Sequence, residues 1–215
     1  MTNSLPFWQK RLLLILAGVA VLALMGLVFT AGRVSAGQEH PGGSSADAGF
    51  ARDMQVHHAQ AVEMSLLIRD RSTDEDLRSV AYDIALTQQH QIGQMYAWLE
   101  EWGLPQSSSA PAMAWLDSSA GGHHGGQDGA PAHTAGALMP GMATPEQLAE
   151  LKSSSGVEAE RLFLELMIDH HTAGAEMAEA GAELAETAQV RSLATKMATA
   201  QQAEIGALKD LLDRR

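Results

Sequence analysis

Apolar residues are distributed along the chain in two distinct patterns. From residue 12 to residue 31 they run continuously, without one charged side chain. Such a run, wound as an α-helix, spans about 30 Å, the thickness of a bilayer's hydrocarbon core. Trp8, Lys10 and Arg11 precede it, and basic residues stay on the cytoplasmic side. The pattern predicts a transmembrane anchor over 12–31, with residues 1–11 in the cytoplasm and the remainder outside it.

A cleaved signal peptide is the alternative for this segment. Val34-Ser35-Ala36 has the small residues that a signal peptidase accepts, and cleavage after Ala36 releases a secreted protein. The apolar run is longer than the 7–15 residues usual for a signal peptide, which favours a retained single-pass anchor in the cell membrane. Residues 32–46 are then a flexible tether. Either interpretation places the rest of the chain outside the cytoplasm.

Beyond the tether the chain contains an internal repeat. Residues 48–102 align without a gap on residues 161–215, and 15 of the 55 aligned positions are identical. Within each copy, apolar residues recur every three or four positions, which is the period of an amphipathic helix, and no segment alternates with the period of a strand. A gapless match of this length indicates duplication of one structural unit.

Each repeat predicts a helical hairpin. The first helix covers about 47–71, and Ser72-Thr73-Asp74-Glu75 supplies a capping signal for the second, which ends before Gly103. In the second repeat we expect helices near 157–184 and 188–213. Two duplicated hairpins predict an all-α protein, with a four-helix bundle over 47–215.

A long connection separates the two repeats. Residues 104–143 are rich in Gly, Pro and His, a composition that cannot bury enough apolar surface to fold alone, and we interpret them as a mobile crossover. Thr144-Pro145-Glu146-Gln147 then predicts the start of a short helix, with Thr144 as N-cap.

Charge and composition exclude several classes of function. Of the 14 basic residues, Lys10, Arg11 and Arg33 precede residue 37, so residues 37–215 carry 11 positive and 26 negative charges, a net −15. Such a domain repels phosphate backbones, and we expect no nucleic-acid partner. The chain has no Cys, which excludes disulfides, thiolate metal sites and a Cys nucleophile.

The motif Met-x-x-His-His occurs once in each repeat. On a helix, Met54 and His57 lie in one mostly apolar stripe, and Met167 and His170 lie in its equivalent. We expect a two-fold arrangement to bring these four side chains together. Thioether and imidazole donors form a soft, neutral set that suits copper, Cu(I) above all. The predicted ligands are Met54, His57, His58, Met64, Met167, His170, His171 and Met177.

Other histidines and methionines are weaker metal candidates: His90, His123, His124, His133, Met139 and Met142. Glu63 and Glu176 project away from the stripe, which favours solvent or a salt bridge over ligation. No His is preceded by Glu at minus three, so the Glu-x-x-His pattern of di-iron enzymes is absent and we expect a non-enzyme. A copper oxidoreductase needs an open metal position, which a sequence does not show.

Three stretches carry a family resemblance: Phe50-x-x-Asp53-Met54-x-x-His57-His58-x-Gln60-Ala61-Val62-x-Met64, Met139-Pro-Gly-Met142-Ala-Thr-Pro-Glu-Gln-Leu148 and Leu162-Phe-Leu-x-Leu-Met167-Ile-x-His170-His171. Over roughly residues 46–213 the chain resembles the bacterial domain of unknown function 305 family. The resemblance implies a ferritin-like four-helix bundle, exported or membrane-anchored, and copper binding in some members. The ligands it implies are Met54, His57, His58, Met167, His170 and His171, with Met64 and Met177 as further candidates.

Together these patterns predict a membrane-anchored, extracytoplasmic protein that binds or sequesters copper in copper homeostasis or tolerance. A homo-oligomer or a copper-transfer partner is compatible with this role. The alternative is a structural or sensory bundle whose core histidines only form hydrogen bonds and which acts through a protein partner, without metal.

Overall fold

The described residues of the computed structural model are 6–36, 40–119 and 137–215. They contain seven helices and no strand: α1 (Phe7–Ala36), α2 (Ala46–Arg71), α3 (Glu75–Glu101), α4 (Ala114–Ser119), α5 (Pro145–Ser153), α6 (Gly156–Leu184) and α7 (Ala188–Leu212). The all-helical prediction is confirmed. Contacts divide the chain into two compact units, Met1–His40 and Pro41–Arg215.

The first unit is the single helix α1. Its segment Phe7–Thr30 is long and apolar enough to cross a membrane, and its large apolar side chains are exposed. Length and composition alone support this statement, and a signal sequence near an N-terminus satisfies the same criterion. The structure therefore contains the apolar N-terminal helix that the sequence predicts, and this helix is compatible with both an anchor and a signal peptide.

In the second unit, caps define where the long helices start. Ser45 caps α2, and the Asp74 side chain accepts a 2.8 Å hydrogen bond from Leu77 N to cap α3. The predicted capping box at α5 is present, with Thr144 and Gln147 bonded reciprocally. The sequence does not clearly mark the start of α7, where the Thr187 side chain is the cap.

The two hairpins, α2–α3 and α6–α7, meet through an antiparallel contact between α2 and α6. A Cβ at position 181 would lie 2.5 Å from the Phe50 ring, and one at position 174 would lie 3.1 Å from Cε1 of His57. Phe50 thus lies opposite Gly181, and His57, further along α2, lies opposite Gly174, which comes earlier on α6. The two helices are therefore antiparallel. These glycines let the helices approach closely.

Acidic residues at equivalent positions join each hairpin to the turn of the other. The buried Asp47 carboxylate accepts hydrogen bonds from Glu186 N and Thr187 N, both at 2.9 Å, and one of 2.6 Å from the Thr187 hydroxyl. Its repeat equivalent Glu160 accepts a 2.5 Å hydrogen bond from the hydroxyl of Ser72, in the α2–α3 turn. The duplication thus extends to the contacts that hold the hairpins together.

The structure adds α4, a helix that the sequence analysis does not predict. The Asp53 carboxylate accepts hydrogen bonds from Met113 N at 2.7 Å and Trp115 Nε1 at 2.9 Å. The Trp115 ring also meets Phe50 edge to face, with centroids 6.0 Å apart. Contacts with α2 therefore order this part of the connection, although its local composition resembles that of a loop.

Candidate metal centre

Four histidines lie at the contact between α2 and α6. His57 and His58 of α2 and His170 and His171 of α6 are completely buried. The rings of His57 and His170 stack across the interface, with centroids 3.8 Å apart and planes inclined by 35°. The structure thus brings both predicted His-His pairs into the interior of the Pro41–Arg215 unit.

Backbone carbonyls determine the tautomers of the stacked pair. His57 Nε2 lies 3.2 Å from the Pro140 carbonyl, and His170 Nε2 lies 2.9 Å from the His57 carbonyl. Because a carbonyl oxygen can only accept, each ring carries its proton on Nε2. In the neutral ring, the lone pair is then on Nδ1.

The second histidine of each pair bonds to the other helix of its own hairpin. His58 Nε2 donates to Gln91 Oε1 at 2.7 Å, and His171 Nε2 donates to Glu204 Oε2 at 2.8 Å. Gln91 and Glu204 are repeat equivalents, so duplication has kept the geometry but changed an amide into a carboxylate. Neither residue was identified from the sequence. The signal that could have indicated them is their position one turn after Gln88 and Gln201, which are identical between the two repeats.

The four Nδ1 atoms have one property in common. Each is buried and has no hydrogen-bond partner within the described residues. Buried polar atoms in folded proteins are nearly always paired, and an unpaired one destabilises the fold. Four imidazoles with their lone pairs on buried, unpartnered nitrogens therefore form a donor set that is available to a ligand.

Burial also keeps the rings of His57, His58 and His170 neutral. Desolvation lowers the pKa of His57 to about 4, although its bond to the Pro140 carbonyl opposes the shift. Desolvation, with the neighbouring His57 charge, lowers the pKa of His58 to about 3. The pKa of His170 is also well below its usual value, chiefly through desolvation. Because a neutral imidazole is the metal-binding form, these rings are ready to bind at neutral pH.

The four methionines flank the histidines in two groups. Met54 and Met177 belong to a core cluster with Phe50, whereas Met64 and Met167 belong to another with Phe163. The antiparallel register places Met54 opposite Met177. Of the four side chains expected to meet, His57 and His170 do so. Met54 and Met167 belong to different clusters, so the structure does not bring these two methionines together.

No three His, Asp or Glu side chains in the described ranges are close enough to hold a metal ion between them. The histidines are thus near one another but are not arranged as a finished three-ligand site. A metal bound here would draw on further donors, and the thioethers that precede and follow the His-His pairs along α2 and α6 are buried.

The remaining candidates lie elsewhere or outside the described residues. His90 is exposed on α3. Met139 is buried and Met142 half-buried, next to the carbonyl that His57 contacts. Glu63 forms a 2.8 Å salt bridge with Lys152 at the surface, as expected for a residue off the stripe. His123, His124 and His133 lie outside the described residues.

Known proteins share this architecture. A putative secreted protein DUF305 from Streptomyces coelicolor is 42% identical, with 80% of this chain and 95% of that chain covered and a TM-score of 0.70. A DUF305 fragment from Deinococcus radiodurans is 29% identical, with 79% and 97% covered and a TM-score of 0.62. CopM in its Cu(I)-bound form is 21% identical, with 78% and 96% covered and a TM-score of 0.56. At this identity the match shows a shared fold.

The comparison with curated proteins found no match. The model of the family described as domain of unknown function (DUF305) matches residues 47–212, which is most of the chain and includes all four buried histidines. The chain therefore belongs to the DUF305 family.

Proposed function

We propose that this protein binds copper ions outside the cytoplasm and sequesters them or passes them on. The observation that carries the proposal is the set of four buried imidazoles, each with an unpartnered Nδ1. CopM, which has this fold, was solved in Cu(I)-bound and Cu(II)-bound forms. We propose further that α2, α3, α6 and α7 form a ferritin-like four-helix bundle.

The donor chemistry favours Cu(I). Neutral imidazole and thioether are soft or borderline ligands, which bind Cu(I) well and Mg²⁺ or Ca²⁺ poorly. Because His57, His58 and His170 are neutral near pH 7, they can bind copper there without first losing a proton. Met54 and Met177 would supply sulfur on one side of the rings, and Met64 and Met167 on the other. The role we propose is binding, without catalysis.

A histidine experiment tests this function. Full-length protein in detergent is titrated with Cu(I) and Cu(II) in competition with a chelator of known affinity, and compared with His58→Asn/His171→Asn. We expect tight binding by the wild type and a large loss in the variant, while His90→Asn, a change at an exposed histidine, has little effect. Absence of copper binding by the wild type, or binding that the double substitution leaves unchanged, would overturn the proposal.

The structural alternative is favoured by one observation. All four Nε2 atoms have hydrogen-bond partners within the fold, and two of the rings stack. A scaffold of core histidines acting through a protein partner would show these contacts too. It predicts that copper at stoichiometric levels leaves the thermal unfolding midpoint unchanged, whereas a ligand of the folded state must raise it.

For the location, we propose that α1 is retained as a single-pass anchor with the copper-binding unit outside the cytoplasm. The length of the apolar segment Phe7–Thr30 supports this topology. The mature protein should then fractionate with membranes and begin near Met1. An N-terminus at Gly37 found by mass spectrometry would instead show cleavage after Ala36. A copper-transfer partner or self-association is part of the proposed role.

A further inference from the structure

Two buried glutamines occupy equivalent positions on the second helices of the two hairpins. Gln88 on α3 and Gln201 on α7 are 2% and 3% exposed. The amide nitrogen and amide oxygen of each have no hydrogen-bond partner within the described residues. Gln88 lies one turn before Gln91, and Gln201 lies one turn before Glu204, which are the two residues that bond to the second histidines. Each second helix thus carries Gln-x-x-Gln or Gln-x-x-Glu, and the last residue of this motif bonds to the second histidine of the same hairpin.

Elsewhere in the same unit a buried glutamine is fully paired. Gln60 Nε2 donates to the Ala143 carbonyl at 2.9 Å, and Gln60 Oε1 accepts from Ala143 N at 2.7 Å. This pairing is what a structural buried amide requires. Gln88 and Gln201 lack it, although both persist as identities between repeats that differ at most aligned positions.

The position of the Gln201 oxygen indicates what it serves. A Cβ at position 174 would collide with Gln201 Oε1 and lie 3.1 Å from Cε1 of His57. The amide oxygen and the His57 ring therefore both lie against Gly174 of α6, and the absent side chain of this glycine leaves room for them. Cε1 is the ring atom between Nδ1 and Nε2, so Gln201 of the second repeat and the nitrogen-bearing edge of a histidine from the first both lie against Gly174.

We propose that Gln88 and Gln201 supply amide oxygens to a copper ion bound by the histidines, and that they select for Cu(II). This inference rests on the proposed copper-binding function. Imidazole and thioether suit Cu(I), whereas a carboxamide oxygen is a harder donor that suits the divalent ion. The two amides would let one site keep copper in either oxidation state, with sulfur favouring the reduced ion and oxygen the oxidised one.

The substitution Gln201→Leu, alone and with Gln88→Leu, tests this role in the full-length protein in detergent. Leu is similar in size and removes the unpaired polar atoms. We expect Cu(II) affinity to fall about 10- to 100-fold, as for other supporting residues of metal sites, and Cu(I) affinity to change little. The electron paramagnetic resonance spectrum of bound Cu(II) should also change. The unfolding midpoint of the metal-free protein should hold or rise, because no hydrogen bond is lost.

Two further variants complete the experiment. Gln202→Leu changes the exposed neighbour on α7 and should leave both affinities unchanged. Gln201→Asn keeps the amide but withdraws its oxygen by one methylene, and should also weaken Cu(II) selectively. Unchanged Cu(II) affinity, an equal loss for both ions, or a lower midpoint of the metal-free protein would overturn the glutamine role alone. A wild type that binds neither ion would overturn the proposed function with it.

Discussion

His171 donates a 2.8 Å hydrogen bond from Nε2 to the Glu204 carboxylate, a buried ring paired with a partly exposed acid. In the first repeat, His58 makes the same contact with the neutral amide of Gln91. A carboxylate partner raises the basicity of the opposite ring nitrogen, which is the atom that would bind metal. The two repeats therefore share the same hydrogen-bond arrangement, but only the His171 ring receives electron density from a charged partner.

Replacing Glu204 by Gln tests this inequality. Glu204→Gln keeps an acceptor for His171 Nε2–H but removes the charge, so it copies the first repeat. We expect the metal-free protein to retain its fold and Cu(II) affinity to fall about 10-fold. The reverse change, Gln91→Glu, should raise Cu(II) affinity. If the competition titrations show equal affinities for both variants and the wild type, the partner's charge does not tune the site.

The two methionine groups predict a pattern of coupling in Cu(I) binding. Met54 and Met177 share one core cluster, whereas Met167 lies in the other. Substitutions to Leu at Met54 and Met177 should therefore be non-additive in binding free energy. Those at Met54 and Met167 should add within about 0.5 kcal/mol.

Cu(I) competition titrations on the single and double variants measure these coupling terms. Met95→Leu is the control, a buried methionine of the same cluster that lies on α3 and not on a helix carrying a His-His pair, and should leave Cu(I) affinity near that of the wild type. Strong coupling between Met54 and Met167 would show that both sulfurs bind one ion, against the register of α2 and α6.

The helices were predictable because duplication and helical periodicity are local properties of the chain. The predicted segments 47–71, 157–184 and 188–213 differ from α2, α6 and α7 by no more than one residue at either end. The burial of His57 and His170 also followed from their place on the apolar stripe. These features depend on spacing along one helix, which the sequence displays directly.

The features that the sequence did not reveal depend on register between helices. Which methionine faces Met54 is decided by the alignment of α2 on α6, which packing at Gly174 and Gly181 determines. The roles of Gln91 and Glu204 depend likewise on contacts within each hairpin. Polar residues at these positions are equally compatible with a solvated face, so periodicity alone did not distinguish them.

The buried histidines predict acid sensitivity of the metal-free protein. The pKa is about 4 for His57, about 3 for His58 and well below the usual value for His170, against about 6.5 in the unfolded chain. As pH falls below about 6.5, the unfolded state takes up protons that the folded state does not, so stability declines. Each such histidine contributes about 1.4 kcal/mol per pH unit until the folded pKa is reached.

Thermal unfolding between pH 7 and pH 5 in a metal chelator measures this slope. His58→Gln should reduce the steepness by about one proton, because one buried titrating ring is removed. His90→Asn, at an exposed position, should leave the slope as it is. A midpoint that is independent of pH over this range would contradict neutral burial of the rings.

The contact of Asp47 with the α6–α7 turn predicts a stability effect remote from the histidines. Asp47→Ala leaves Glu186 N and Thr187 N without their acceptor and removes the bond from the Thr187 hydroxyl. Losing buried bonds to a charged acceptor should lower the free energy of unfolding by about 3 kcal/mol. Asp70→Ala, at an exposed position of the same helix, should stay within about 0.5 kcal/mol of the wild type. Thermal unfolding followed by circular dichroism measures both.

Because Asp47 lies ten residues, about 15 Å of helix, before His57, the folded variant should keep its copper affinity. A loss of affinity without a loss of stability would place Asp47 in the metal site, and equal stability of the two variants would remove its role in joining the hairpins.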